Sequence, residues 1–169
     1  MITTFKQFLT ESEPGTYAGL RFNQESLKSL KEFLDNNTIP NKVPEEKLHV
    51  TLLYSRKHIP NFKADGELLE PIICEPQEFT VWETNGEHKE KTRCLILKLL
   101  SPRLVERHIK LMKDHPQATF DYPEYSPHLT LSYDIGSTDV SGLDINSLPS
   151  LVLSYEYQEN LKTDWASAL

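Results

Sequence analysis

The 169-residue sequence contains no apolar run that approaches the roughly 20 residues a membrane-spanning helix needs. Its longest such run, at residues 94–100, is interrupted by Lys98 and is typical of a buried strand. The N-terminus also lacks the apolar stretch of a secretory signal peptide. We therefore expect a protein that neither sits in a membrane nor leaves the cell by the usual route.

Cysteine is scarce as well: Cys74 and Cys94 are the two in the chain, and they form no C-x-x-C pair. This usage indicates buried, reduced thiols in a reducing cytoplasm, not a zinc site or a disulfide framework. The sequence has no His-x-x-Glu-His motif, no acidic triplet and no Gly-rich phosphate loop. We accordingly expect no metal and no cofactor.

Positive charge is in deficit, since 18 Lys and Arg face 25 Asp and Glu for a formal net charge of -7. Proteins that bind long nucleic acids draw much of their affinity from neutralising phosphates with basic residues. The charge balance therefore argues against a long nucleic acid as partner. A small anionic ligand needs only a few local donors and stays compatible with it.

Length and turn signals predict one domain over residues 12–169, preceded by a separable segment at residues 1–11. Within the domain, the order strand, helix, loop, strand occurs twice, over about residues 16–84 and 92–157. An internal repeat of this kind predicts an α+β fold with two pseudo-symmetric lobes. We expect their antiparallel sheets to face a central cleft, with the helices outside.

Each half also carries its own local signals. Asn23 and Ser101 stand where the N-caps of the two helices are expected. A final strand is expected at residues 77–84 in the first half and at residues 150–157 in the second. His108 lies on the apolar stripe of the second helix and is predicted to belong to the core.

The same short motif opens a strand in each half: His49-Val50-Thr51-Leu52 and His128-Leu129-Thr130-Leu131. Because side chains alternate along a strand, the His and Thr of each motif point to one face and the apolar residues to the other. Two imidazoles and two hydroxyls around one cavity could break a phosphodiester bond without metal. One neutral His would act as base and the other, protonated, as acid, while the Thr hydroxyls bind phosphate oxygens.

These paired motifs resemble those of the two-histidine (2H) phosphoesterases, over about residues 16–159. Within that superfamily the chain is most similar to the anti-CBASS phosphodiesterases of tailed bacteriophages. The resemblance implies a bilobal fold, with His49 and His128 as the acid–base pair and Thr51 and Thr130 binding phosphate. It also implies a cyclic di- or trinucleotide messenger as ligand, degraded in the cytoplasm of the infected bacterium so that the phage evades CBASS defence.

Three further residues are candidates for binding the ligand. Tyr17 and Trp82 are the expected base-stacking rings, although each could equally be a core residue. Glu156 lies between two tyrosines on the last predicted strand; if these are buried, its carboxylate faces the cavity or solvent and could bind a purine amine. The tail at residues 158–169, which contains Trp165, is expected either to close over the ligand or to pack on the surface.

The reaction we expect is cleavage of a 3′-5′ phosphodiester in the cyclic nucleotide by a protein that is most simply a monomer. The sequence does not separate attack by the ribose 2′-hydroxyl from attack by water, nor base from acid among the two histidines. Alternative substrates are RNA ends with a 2′,3′-cyclic phosphate and 2′-5′ oligoadenylate. A non-catalytic sponge for cyclic nucleotides and a structural protein of the virion are the alternatives from other classes.

The segment at residues 5–11 resembles the capsid-targeting leaders of internal head proteins in T4-like phages, which end in a Leu-x-Glu cut site. Leu9-Thr10-Glu11 matches that site. This resemblance implies packaging in the virion and release of a protein that starts at Ser12. An amphipathic first helix is the simpler alternative.

Overall fold

The computed structural model describes residues 13–85 and 90–161, so the separable segment predicted at residues 1–11 and Trp165 of the C-terminal tail lie outside it. The described part of the chain contains two α-helices, two short 3-10 helices and one antiparallel sheet of six strands. The helices are α1 Gln24–Asn36 and α2 Pro102–Asp114, and the strands are β1 Thr16–Phe22, β2 His49–Ser55, β3 Gly66–Asn85, β4 Lys91–Leu100, β5 His128–Ser132 and β6 Leu151–Asn160. Neither helix is long and apolar enough to cross a membrane.

Both helices begin where the sequence predicts, by different means. Asn23 caps α1, since its side-chain oxygen accepts a hydrogen bond from the Ser26 N–H at 2.9 Å. Ser101 precedes α2 but makes no capping bond with its side chain; its hydroxyl donates to the Ile73 carbonyl at 3.0 Å instead. Pro102 at the first position of α2 suits a helix start, because it has no N–H that needs a partner.

The strand order is β2-β1-β6-β3-β4-β5, with every neighbouring pair antiparallel. The predicted α+β class is confirmed, but the two expected sheets are joined into one. The join is the 20-residue strand β3, which pairs with β6 along its first part and with β4 along its second. The two outer strands, β2 and β5, contact each other, so the sheet curls until its edges meet.

The pairing corrects the predicted composition of the two halves. The strand at residues 77–84 was expected in the first half, yet within β3 it pairs with β4 of the second, as in Trp82 opposite Cys94. The strand at residues 150–157 was expected in the second half, yet within β6 it pairs with β1, as in Tyr157 opposite Gly19. A repeated order of elements does not specify strand pairing, and β3 continues from one half into the other.

One hydrophobic cluster serves both halves of the molecule. Leu20 and Leu53 of the first half and Leu97 of the second are completely buried in it. Both cysteines are buried and free, as predicted, and burial raises the pKa of the Cys74 thiol to about 11. A close-packed core behind β2 and β5 gives the two motif strands a rigid support.

Candidate active site

The two predicted motifs lie at the meeting edges of the sheet, on β2 and β5. In both strands the apolar residues, such as Val50 and Leu129, are buried in the core. The His and Thr side chains alternate with them and therefore point to the other face. The two imidazoles are close enough that the charge of His49 helps to lower the pKa of His128.

Both imidazoles are held by the backbone in the same way. The Nδ1 atom of His49 lies 2.7 Å from the Lys47 carbonyl, and that of His128 lies 2.9 Å from the Ser126 carbonyl. Because a carbonyl only accepts hydrogen bonds, Nδ1 carries the proton in both rings. In the neutral rings Nε2 is consequently the nitrogen with a lone pair, which is what a general base requires.

The pKa values of both histidines are lowered from the ordinary imidazole value. Burial is the largest cause in each case, and the hydrogen bond from Nδ1 to a carbonyl opposes it. A nearby cation adds to the lowering, Arg21 at His49 and Lys98 at His128. These effects favour neutral imidazoles when no ligand is bound, so an acidic role for one of them needs a bound anion to stabilise its proton.

Tyr17 lies in the site, although not as an open stacking surface. Its ring is 1% exposed and meets His49 edge-on, with 6.2 Å between ring centroids. Its hydroxyl lies 2.8 Å from the Thr51 Oγ1 atom and also hydrogen bonds to Tyr157. Burial raises the Tyr17 pKa well above its ordinary value, which keeps this hydroxyl protonated. The structure thus gives Tyr17 a hydrogen-bonding place next to Thr51 and little surface for a base.

Tyr157 and Arg21 lie beside Tyr17, and these three residues form the wall of the site around His49. The sequence did not indicate Tyr157 or Arg21. The Tyr157 ring lies directly over Gly19, where an added Cβ would come within 2.7 Å of the ring's hydroxyl oxygen. The Arg21 guanidinium lies over that ring, 4.6 Å from its centroid, and donates to the Glu46 carbonyl at 2.6 Å. Only the register, which pairs Arg21 with His49 and Gly19 with Tyr157, reveals this arrangement.

The prediction that Glu156 faces the cavity or solvent is wrong. Its side chain is 1% exposed and accepts two hydrogen bonds from Arg107 of α2, at 2.8 and 3.2 Å. The prediction assumed that the neighbouring tyrosines were buried, whereas Tyr157 faces the site and Tyr155 is exposed. Strand alternation then turns Glu156 to the opposite face, where it joins β6 to α2.

The wall around the second motif is more open. Trp82 contacts His128 edge-on, with 4.7 Å between ring centroids, and is 38% exposed. Lys98 stands directly opposite His128 in the register and forms an ion pair with Glu78 at 3.3 Å. Trp82 is therefore brought to the histidine and keeps an accessible surface, as a stacking ring requires.

The described residues contain no group of three or more His, Cys, Asp or Glu side chains that could hold a metal ion. What the site does contain is a pair of backbone-anchored imidazoles, a pair of hydroxyls, and a cation beside each imidazole. Such a set can move protons at two opposite oxygens of a phosphate while donors bind the remaining oxygens. It is a site suited to acid–base chemistry on a phosphate ester.

Comparison with known proteins gives relatives that match nearly the whole chain. The sequence model of a family described as Anti-CBASS protein Acb1 matches residues 14–168. The protein of that name in Enterobacteria phage T4 is 36% identical over 165 residues, which cover 98% of this chain and 97% of the relative. Its counterpart in Acinetobacter phage Ac42 is 33% identical, covering 93% and 97% of the two chains.

Solved structures show the same fold at low sequence identity. The crystal structure of E. coli LigT complexed with 3′-AMP aligns with a TM-score of 0.57 at 11% identity and covers 87% of both chains. A structure described as a phosphoesterase aligns with a TM-score of 0.54 at 10% identity, covering 90% of this chain and all of its own. The fold is therefore that of the 2H phosphoesterases.

Proposed function

This chain belongs to the Acb1 family of anti-CBASS proteins, and from that premise we propose that it is a metal-independent phosphodiesterase of cyclic di- and trinucleotide messengers. The observation that carries the proposal is the matched anchoring of His49 and His128 through Nδ1. A protein that only sequesters a nucleotide has no need of two such imidazoles in equivalent places. Two proton-transfer groups are what the two ends of a displacement at phosphorus require.

In the reaction we propose, one imidazole takes the proton of a ribose 2′-hydroxyl through Nε2. The freed 2′-oxygen forms a bond to the adjacent phosphorus, and the bond from phosphorus to the 5′-oxygen breaks in line with it. The second imidazole, protonated at Nε2, gives its proton to the departing 5′-oxygen. The products are a 2′,3′-cyclic phosphate and a 5′-hydroxyl, so the ring is opened and no proton is gained or lost overall.

Thr51 and Thr130 are the proposed donors to the non-bridging oxygens of the phosphate. The bond between Thr51 and the buried Tyr17 hydroxyl supports this role, because it fixes the Thr51 side chain beside His49. Donors that are already oriented stabilise the charge of a transition state without reorganising during the reaction.

Arg21 and Lys98 are the proposed source of positive charge at the bound phosphate. Each lies across the strand pair from one histidine. A phosphodiester drawn in by them would stabilise a protonated imidazole, which offsets the lowered pKa values of the free site. This is how one of two intrinsically neutral histidines could serve as the acid.

A small nucleotide suits the two walls better than a long RNA. Trp82 offers a partly exposed ring next to His128, and the net charge of -7 opposes binding of a polyanion. E. coli LigT, which shares the fold, has been crystallised with 3′-AMP and with ATP, so nucleotides fit that protein. We propose that the activity acts in the infected host cell, because relatives named as anti-CBASS proteins come from bacteriophages.

The decisive experiment incubates the full chain with 3′,3′-cyclic GMP-AMP in excess EDTA and resolves the products by mass. The His49→Ala/His128→Ala double variant is the control. We expect a linear product from the wild-type protein alone, ending in a 2′,3′-cyclic phosphate. A linear product that ends in a non-cyclic phosphate would indicate that water, and not the ribose 2′-hydroxyl, is the nucleophile.

Two other results would replace the proposal. Intact nucleotide that co-purifies with both proteins would indicate a sponge. Intact nucleotide with no binding would direct attention to RNA ends with a 2′,3′-cyclic phosphate or to 2′-5′ oligoadenylate. Packaging through residues 1–11 stays a separate proposal; mass spectrometry of purified virions should find a form that starts at Ser12.

A further inference from the structure

Each motif strand is an outer edge of the sheet, and the loop leading to the other motif runs along it. Residues 38–43, after α1, lie along β5, where the Ser132 hydroxyl donates to the Pro40 carbonyl at 2.6 Å. Residues 115–127, after α2, lie along β2 in the reciprocal arrangement. Edge carbonyls that no neighbouring strand reaches can in this way find partners from the opposite half.

On the β2 edge, two side chains hold consecutive carbonyls at the first motif. The Tyr125 hydroxyl donates to the Thr51 carbonyl at 2.7 Å, and His108 Nδ1 donates to the Leu52 carbonyl at 2.7 Å. The two rings stack on each other, with centroids 4.2 Å apart and planes 10° from parallel. Burial raises the pKa of Tyr125, which keeps its hydroxyl a donor. His108, predicted as a core residue, is buried as expected, and its ring also makes a hydrogen bond to the backbone of β2.

The residue that follows Tyr125 holds the second motif. The Ser126 carbonyl accepts the Nδ1 proton of His128 at 2.9 Å. Two adjacent residues therefore connect the backbone of Thr51 to the ring of His128. The first loop separates these tasks, since Pro40 and Asn41 hold Ser132 of β5 whereas Lys47 holds His49.

We propose that Tyr125 is a positioning residue, whose bond to Thr51 sets the place of His128 relative to the first motif. The inference rests on the proposed function, because the consequence is that both imidazoles can reach one phosphate. Misplacement of a reacting group by about 1 Å can cost about 100-fold in rate. His108 reinforces the link through its stack with Tyr125 and its bond to the next carbonyl.

The test compares Tyr125→Phe with Tyr122→Phe in the same loop, using 3′,3′-cyclic GMP-AMP. Tyr125→Phe removes one hydroxyl and keeps the stacked ring, while Tyr122 is exposed and stands outside the link. We expect kcat to fall about 10- to 100-fold in Tyr125→Phe, with KM changed less than about twofold. Tyr122→Phe should behave as the wild-type protein.

A second readout needs no substrate. The imidazole signals of His49 and His128 can be followed by NMR while inorganic phosphate is added to the full chain. In the wild-type protein the chemical shifts of both histidines should change over the same range of phosphate concentration. In Tyr125→Phe the His128 signals should move in the free protein, and the two histidines should no longer respond together. Tyr122→Phe should leave the spectrum unchanged.

Unchanged kcat in Tyr125→Phe would overturn the inference, as would a loss that only follows the unfolded fraction measured by thermal denaturation. Unchanged His128 signals in that variant would overturn it as well. If the wild-type protein cleaves no cyclic dinucleotide, the proposed function fails, while the NMR comparison still decides whether Tyr125 positions His128.

Discussion

The surroundings of the two motifs differ far more than the motifs do. Around His49 the wall is closed and rich in hydroxyls, with Tyr17 1% exposed and Arg21 lying over Tyr157. Around His128 the wall is open, and the corresponding aromatic contact comes from Trp82, which is 38% exposed. The shared parts are those that proton transfer needs, and the parts that differ are those that would meet the rest of a ligand.

One pair of positions explains most of this difference. Gly19 stands opposite Thr51 in the register, and Ile96 stands opposite Thr130. Because Gly19 has no side chain, the Tyr157 ring can lie over β1 and reach the hydroxyl of Tyr17. Ile96 fills the equivalent space itself and is buried. A single missing side chain thus lets one wall close.

The strongest test of chemical equivalence is to remove each imidazole in turn. We expect His49→Ala and His128→Ala each to lose about 100- to 10,000-fold in kcat, because each removes one proton-transfer role. Binding of the cyclic nucleotide, measured by calorimetry, should change far less. If one variant retained wild-type turnover, the two halves would not form an acid–base pair.

The difference between the walls should appear in which kinetic constant changes. Trp82→Ala should raise KM by about 5- to 100-fold, since stacking of a base on an aromatic ring contributes about 1–3 kcal/mol. Trp82→Phe, which keeps a stacking surface, is the matched control. Tyr17→Phe should instead lower kcat, because Thr51 loses its partner at 2.8 Å. Steady-state kinetics with the reverse pattern would contradict the assignment of the walls.

The origin of the closed wall can be tested at Gly19. Gly19→Ala places a methyl against the Tyr157 ring, and we expect a loss of about 1–3 kcal/mol in the free energy of unfolding. Activity should fall about tenfold as the ring is displaced from Tyr17. In the double variant Gly19→Ala/Tyr157→Ala, the alanine at position 19 should add little further destabilisation beyond Tyr157→Ala. Full additivity in urea unfolding would mean that the ring does not depend on Gly19.

Sequence reasoning reached the parts of the site that local pattern determines. The motif residues on β2 and β5 follow from strand alternation, and Trp82 followed from a strand with polar neighbours. Tyr157, Arg21 and Glu156 were missed or misplaced, because their faces depend on pairing between β1 and β6, which lie far apart in the chain. The sequence shows each strand's alternation but not which of its two faces meets the cleft.

The smallest expected effect concerns the cations beside the histidines. Arg21 lowers the pKa of His49, and Lys98 lowers that of His128, by disfavouring a second positive charge nearby. Arg21→Gln should therefore raise the pKa of His49 and leave His128 almost unchanged, while Lys98→Gln should do the reverse. An NMR titration of both imidazoles in each variant measures this directly.

The pH dependence of kcat/KM should shift in the same direction as the histidine pKa. A higher histidine pKa makes the free base available only at higher pH. If the altered histidine is the base, the rising limb of the plot of kcat/KM against pH therefore shifts to higher pH. If the altered histidine is the acid, the falling limb shifts to higher pH instead. Comparing Arg21→Gln with Lys98→Gln would thus assign base and acid to the two motifs, which their common anchoring leaves indistinguishable. Equal shifts of both imidazoles in either variant would mean that neither cation is specific to its own half.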